Sequence, residues 1–185
     1  MVNQPPSQGI LNSWKFYILI LAMILVKVFM FGGLSIGKFG RSYSSSNFNI
    51  GNIPPDFTIK TTKGDTMTLS KLKGKVVLID FWATWCGPCR GEIPQVKQIW
   101  NTHKNEAFTI IGISADQDPD TLNTFLQQEG ITWPQYYEAN GTTNVSDMYN
   151  VHSIPHTILV DKKGHIAEVN LRGEELADKV TQLLK

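Results

Sequence analysis

Residues 76–89 read VVLIDFWATWCGPC. Val76 to Phe81 form an apolar run rich in β-branched residues, the pattern of a central strand buried on both faces, interrupted by one acid, Asp80. Cys86-Gly87-Pro88-Cys89 follows where that strand ends and a helix begins. Beyond it Cys89, Ile93, Val96 and Trp100 recur at helical spacing, the stripe of an amphipathic helix that Pro94 is expected to kink. A thiol at a helix N-terminus meets unsatisfied N–H donors and the positive end of the macrodipole, both of which favour thiolate. Cys86 is therefore the expected nucleophile, ionised and exposed. Cys89, one turn further and on the buried stripe, is the expected resolving thiol, attacking the Cys86 sulfur once a mixed disulfide has formed. Two intervening residues let the sulfurs meet within one turn.

Resolution requires a buried Cys89 to lose its proton, and two acids are placed to take it. Asp80, six residues before Cys86, is expected behind the cysteines with a pKa raised by desolvation. Glu92, three residues after Cys89, lies on the same helical face. The bland alternatives are a strand-end acid satisfied by lysine or backbone, and a first-turn acid matching the helix dipole. Trp82 reads as packing, whereas Trp85, immediately before Cys86, reads as part of an apolar collar around the sulfur. His156 is a candidate for touching substrate or tuning Cys86; His103 and His165 read as helix-end and hairpin-exposed side chains. Cys86 and Cys89 with His152 and His156 nominally supply four zinc ligands, but the 62 intervening residues far exceed the spacing of classical fingers, so no metal site is expected.

Working outward, Phe16 to Ile36 is a 21-residue stretch whose only formal charge is Lys27. It has membrane length. It reads as an uncleaved anchor or as a signal sequence, following a short tail over residues 1–15, and the flanking charges leave topology open. Residues 37–52, rich in Ser, Gly and Asn, read as a flexible linker. A folded domain is expected over residues 53–185. In it Phe57 to Lys60 and Met67 to Leu69 flank a turn, Phe108 to Ser114 is a second buried strand, and Asp118-Pro119 opens a helix that Gly130 stops. Thr157 to Asp161 and His165 to Val169 form a second hairpin, and Glu174 to Leu184 a last helix. This order implies an α/β layered domain with a mixed sheet. All 16 acidic residues lie at or beyond Asp56, so residues 49–185 carry 13 basic and 16 acidic side chains, a net −3. With +1 over the whole chain, the basic footprint of a nucleic-acid binder is missing.

The 76–89 segment resembles the active-site segment of the thioredoxin superfamily. Four further motifs make residues 53–185 similar to its TlpA-like branch of membrane-anchored disulfide reductases: Pro55-Asp56-Phe57, Leu69-Ser70-x-Leu72-x-Gly74-Lys75, Ile111-Gly112-Ile113-Ser114-x-Asp116, and Tyr149-x-Val151-x-x-Ile154-Pro155-x-Thr157. The resemblance implies a thioredoxin-like fold, a central mixed β-sheet flanked by helices, after one N-terminal transmembrane anchor. It also implies a cis Ile154-Pro155 bond beside Cys86, with Ile154 as the docking edge for an extended substrate and Trp85, Gly87, Pro88 and Pro155 completing the substrate surface. The Gly87-Pro88 dipeptide suggests a reducing potential, near thioredoxin's roughly −270 mV. By the same resemblance the chain is expected to reduce disulfides of protein partners outside the cytoplasmic membrane, apocytochrome c among them. It would draw electrons from a membrane-embedded thiol donor and use no cofactor beyond the Cys86-Cys89 disulfide. The alternative is a thioredoxin-fold copper carrier using the same thiols. Family members carry an acid at the Asp80 or the Glu92 position; this chain has both, which leaves the dominant base open.

Overall fold

The computed structural model describes residues 18–20, 23 and 48–185. The expected anchor at 16–36 and most of the linker lie outside the described residues, and among those described no helix is long and apolar enough to cross a membrane. The chain divides into two units, residues 1–42 and 43–185. The second unit holds every strand found among the described residues.

Its strands are β1 (Thr58–Lys60), β2 (Thr66–Thr68), β3 (Val76–Trp82), β4 (Phe108–Ser114), β5 (Gln135–Tyr137), β6 (His156–Val160) and β7 (Ile166–Val169). The helices are α1 (Gly87–His103), α2 (Pro119–Glu129), α3 (Val145–Met148) and α4 (Gly173–Leu184), with a 3-10 turn over Leu69–Leu72. β1 and β2 make a separate antiparallel pair, and the main sheet runs β5-β4-β3-β6-β7. β3 pairs parallel with β4 and antiparallel with β6, so the sheet is mixed.

The period of two in β3 decides what lies behind the cysteines. Val76, Leu78 and Trp82 join the core formed with Cys89, Ile93, Val96 and Ile99 of α1. Val77, Ile79 and Phe81 join the opposite core with Phe57, Val145 and Tyr149. Asp80, in phase with Leu78 and Trp82, therefore faces the α1 side.

Several details differ from the sequence reading. The buried stripe of α1, which contains Pro94, is Cys89, Ile93, Val96, Ile99 and His103, with Trp100 at the margin. His103 is buried rather than an exposed helix end, because the last turn of α1 lies on β4: its ring meets Phe108 edge-on, and its Nδ1 lies 3.0 Å from Glu106. β5 and α3 were not anticipated. The end of the expected linker is tied down, with Gly51 N–H donating to Ile166 O (2.7 Å) and Ile166 N–H donating to Asn52 O (2.8 Å). α2 behaves as expected: Asp118 caps it and Gly130 ends it at φ 63°, a left-handed conformation that glycine adopts without strain.

Candidate active site

Cys86 is the N-cap of α1. Its sulfur accepts the backbone N–H of Cys89 at 3.2 Å, satisfying a helix-end donor that has no intrahelical partner. Cys86 and Cys89 are joined as a disulfide. Both residues are buried, 5% and 3% exposed, whereas Trp85 beside them is 66% exposed. The expected exposure of Cys86 thus does not hold in the disulfide form, in which its sulfur lies against the first turn of the helix, bonded to Cys89 and accepting the Cys89 N–H. Trp85 presents the open apolar surface instead. Gly87 and Pro88, the first residues of α1, are both exposed beside it.

The loop leading into Cys86 is held from below by Asp116. This buried carboxylate accepts Thr84 N–H (3.1 Å), Thr84 Oγ1–H (2.6 Å) and Ser114 Oγ–H (2.7 Å). Asp116 lies in a motif that carried the resemblance, yet its role is visible only once β4 lies beside β3. Asp116→Ala strands three buried donors, so the thermal midpoint should fall by about 10 °C, the equivalent of ~3 kcal/mol. A midpoint unchanged in differential scanning calorimetry would refute that support.

Behind the sulfurs a narrow cleft is lined by Asp80, Trp82, Cys89, Glu92, Trp133 and Pro155. It gives Asp80 its partial exposure in an otherwise enclosed position. Burial pushes the Asp80 carboxyl up from 3.8 to about 7; the charge of Glu92 adds to the rise and Arg172 opposes it. Burial also raises Glu92, again opposed by Arg172. Asp80 can therefore change protonation near neutral pH. Glu92 is not a plain first-turn acid matching the dipole, because Arg172 Nη1 lies 3.2 Å from its Oε1.

Ile154-Pro155 is cis, and Ile154 is partly buried between the two cores. His156 follows, half-buried with its ring edge-on to Phe81. Burial lowers its pKa, and Arg172 lowers it further. Both cysteines, both acids and Pro155 therefore meet at one end of β3. Arg172 was missed by sequence reasoning, which had no local signal for it.

A disulfide capping a helix after a buried central strand, with titrating acids in the cleft behind it, defines a thioredoxin-fold thiol-disulfide oxidoreductase. A family model described as AhpC/TSA family matches residues 50–169, and the chain belongs to that family. Over 126 residues it is 31% identical to "Thiol-disulfide oxidoreductase ResA" of Oceanobacillus iheyensis, covering 66% of this chain and 65% of the relative, just under two thirds of that protein's length. The Bacillus cereus protein of the same name is 25% identical over 167 residues, covering 90% of this chain and 95% of its own. Among solved structures, the thioredoxin domain of a thiol-disulfide oxidoreductase from Bacteroides vulgatus superposes with a TM-score of 0.67 at 32% identity, covering 74% of this chain and 99% of that one. A Chlorobium tepidum structure described as a thiol:disulfide interchange protein DsbE gives 0.66 at 27% identity, covering 75% and 99%.

Proposed function

We propose that this oxidoreductase works as a reductase of disulfides in extracytoplasmic protein partners, held at the membrane by residues 16–36 and recharged by a membrane-embedded dithiol protein. The observation that carries the reading is the Cys86-Cys89 disulfide capping α1 with the Asp80-Glu92 cleft behind it.

In the dithiol form the Cys86 thiolate attacks one sulfur of the partner's disulfide. That bond breaks, a Cys86–partner bond forms, and the departing partner sulfur takes a proton. Cys89 then gives its proton to the carboxylate cleft and attacks the Cys86 sulfur, releasing the second partner thiol and closing Cys86-Cys89. Two electrons pass from the protein's dithiol to the partner's disulfide, and the membrane donor restores them. Trp85, Gly87, Pro88 and the Ile154-Pro155 edge form the surface on which an extended partner lies. The TlpA-like resemblance supports apocytochrome c, whose paired thiols must be reduced before haem is attached, as the partner class.

The test is dithiothreitol-driven reduction of insulin by the full chain in detergent, alongside titration with Cu(I). Turnover well above the uncatalysed rate is expected. Negligible turnover together with tight stoichiometric Cu(I) binding would replace this reading with a copper carrier.

A further inference from the structure

The cation beside the cleft comes from a part of the chain that no redox motif marks. Arg172 immediately precedes α4, and its backbone position is fixed from β6: Thr157 Oγ1–H donates to Leu171 O at 2.9 Å, and Asn170 N–H donates to Thr157 O at 2.7 Å. From there the guanidinium forks. Nη1 lies 3.2 Å from Glu92 Oε1, and Nη2 donates to the carbonyl of Pro155 at 2.6 Å. Ile154, next to that carbonyl, takes part in no backbone hydrogen bond among the described residues. One end of the guanidinium thus holds a carboxylate of the proton-accepting cleft, and the other holds the loop that offers Ile154 to a partner strand.

We propose that Arg172 is a positioning residue of the redox site, locking the Glu92 carboxylate at the cleft and the Pro155 carbonyl beside the docking edge into one arrangement. The inference rests on the reductase reading and extends it. A planar fork with separated donors can serve both acceptors at once, and a lysine ammonium at the end of a flexible stem cannot hold the same geometry. The titratable groups facing this cation are Asp80 on β3, Glu92 on α1 and His156 on β6. Its charge opposes the upward shift of both acids and favours neutral His156. The guanidinium is partly exposed, so solvent weakens this field without removing it.

The two functions separate by substitution. Arg172→Met removes charge and fork together. The rising limb of the turnover–pH profile should then move upward by about half a unit to one unit, because both carboxylates keep their protons to higher pH. KM for insulin should rise roughly threefold or more, because the Pro155 carbonyl loses its donor. Arg172→Lys keeps the charge and loses the fork, so the limb should stay near its wild-type position while KM still rises. These profiles are read on the full chain in detergent with dithiothreitol and insulin, with Asp80→Asn alongside. Wild-type midpoint and KM in both arginine variants would overturn the proposal. Should Arg172→Met fail to fold, an unchanged KM in Arg172→Lys overturns it alone. A wild-type chain without turnover removes the reductase reading and this inference with it. An active wild type whose profile shifts in Asp80→Asn while the arginine variants stay silent removes only the role of Arg172.

Discussion

Replacing Cys86 with serine should reduce turnover by about a thousandfold or more, whereas Cys89→Ser should leave the first exchange intact and accumulate a covalent adduct with the substrate. The asymmetry follows from where the helix puts each sulfur. Cys86 Sγ accepts the Cys89 N–H at the positive end of a 17-residue helix, an arrangement that stabilises a negative sulfur. It also lies beside the exposed indole of Trp85 and the exposed Gly87 and Pro88, the side proposed to meet a partner. Cys89 sits a turn inside, packed with Ile93, Val96 and Trp82, and can reach only a sulfur already delivered to Cys86. The adduct is read on a non-reducing gel or by intact mass, and it should dissolve on adding dithiothreitol. Equal trapping by Cys86→Ser would reverse the assignment of attacking and resolving sulfurs.

The parts of this architecture that could be read from the chain are those set by local physics. Val76 to Phe81 is apolar on both faces because β3 is covered on both sides, and Asp80 stands out within it for the same reason. Asp118, Pro119 and Gly130 bracket α2 through capping and a left-handed turn, properties of a few neighbouring residues. β5 had no such signal. It is three residues long and is held by pairing with β4 from Gly112 to Ser114, and by Gln135 Oε1 accepting the Trp82 indole N–H at 2.9 Å across 53 positions. The close approach of Gln135 is also why residue 112 is glycine: a Cβ there would lie 2.1 Å from Gln135 Oε1. The site divides in the same way. Cys86, Cys89, Asp80 and Glu92 lie within 13 residues of one another, so a strand and a helix suffice to anticipate their meeting. Asp116 and Arg172 act on groups 32 and 80 positions away, Thr84 and Glu92, and only tertiary pairing reveals them.

Asp80→Asn should stabilise the oxidised protein at pH 8 while slowing release of the reduced partner. In the unfolded chain this carboxyl loses its proton near 3.8, and in the folded chain near 7. Between those values the folded state binds more protons than the unfolded state. Stability attributable to this residue is therefore greatest below the lower value, falls as pH rises through the window, and levels off above the upper one. A shift of about three units costs on the order of 2 to 4 kcal/mol at pH 8. Asparagine keeps the shape without ionising, so the gain should appear at pH 8 and vanish at pH 4 when unfolding by guanidinium is compared at the two values. A gain equal at both pH values, or none at pH 8, would show that Asp80 ionises in the folded protein as easily as in water. The kinetic half is expected in the opposite direction. With no acceptor at position 80, resolution of the mixed disulfide at neutral pH should slow roughly tenfold or more, Glu92 supplying what proton transfer remains. A carboxyl whose ionisation is opposed by burial weakens the folded state at every pH above the point where the unfolded chain would ionise it. On the proposed mechanism the same desolvation brings its proton affinity close to neutrality, where it would take a proton from Cys89 and give it up again, so the stability lost and the rate expected have one physical cause.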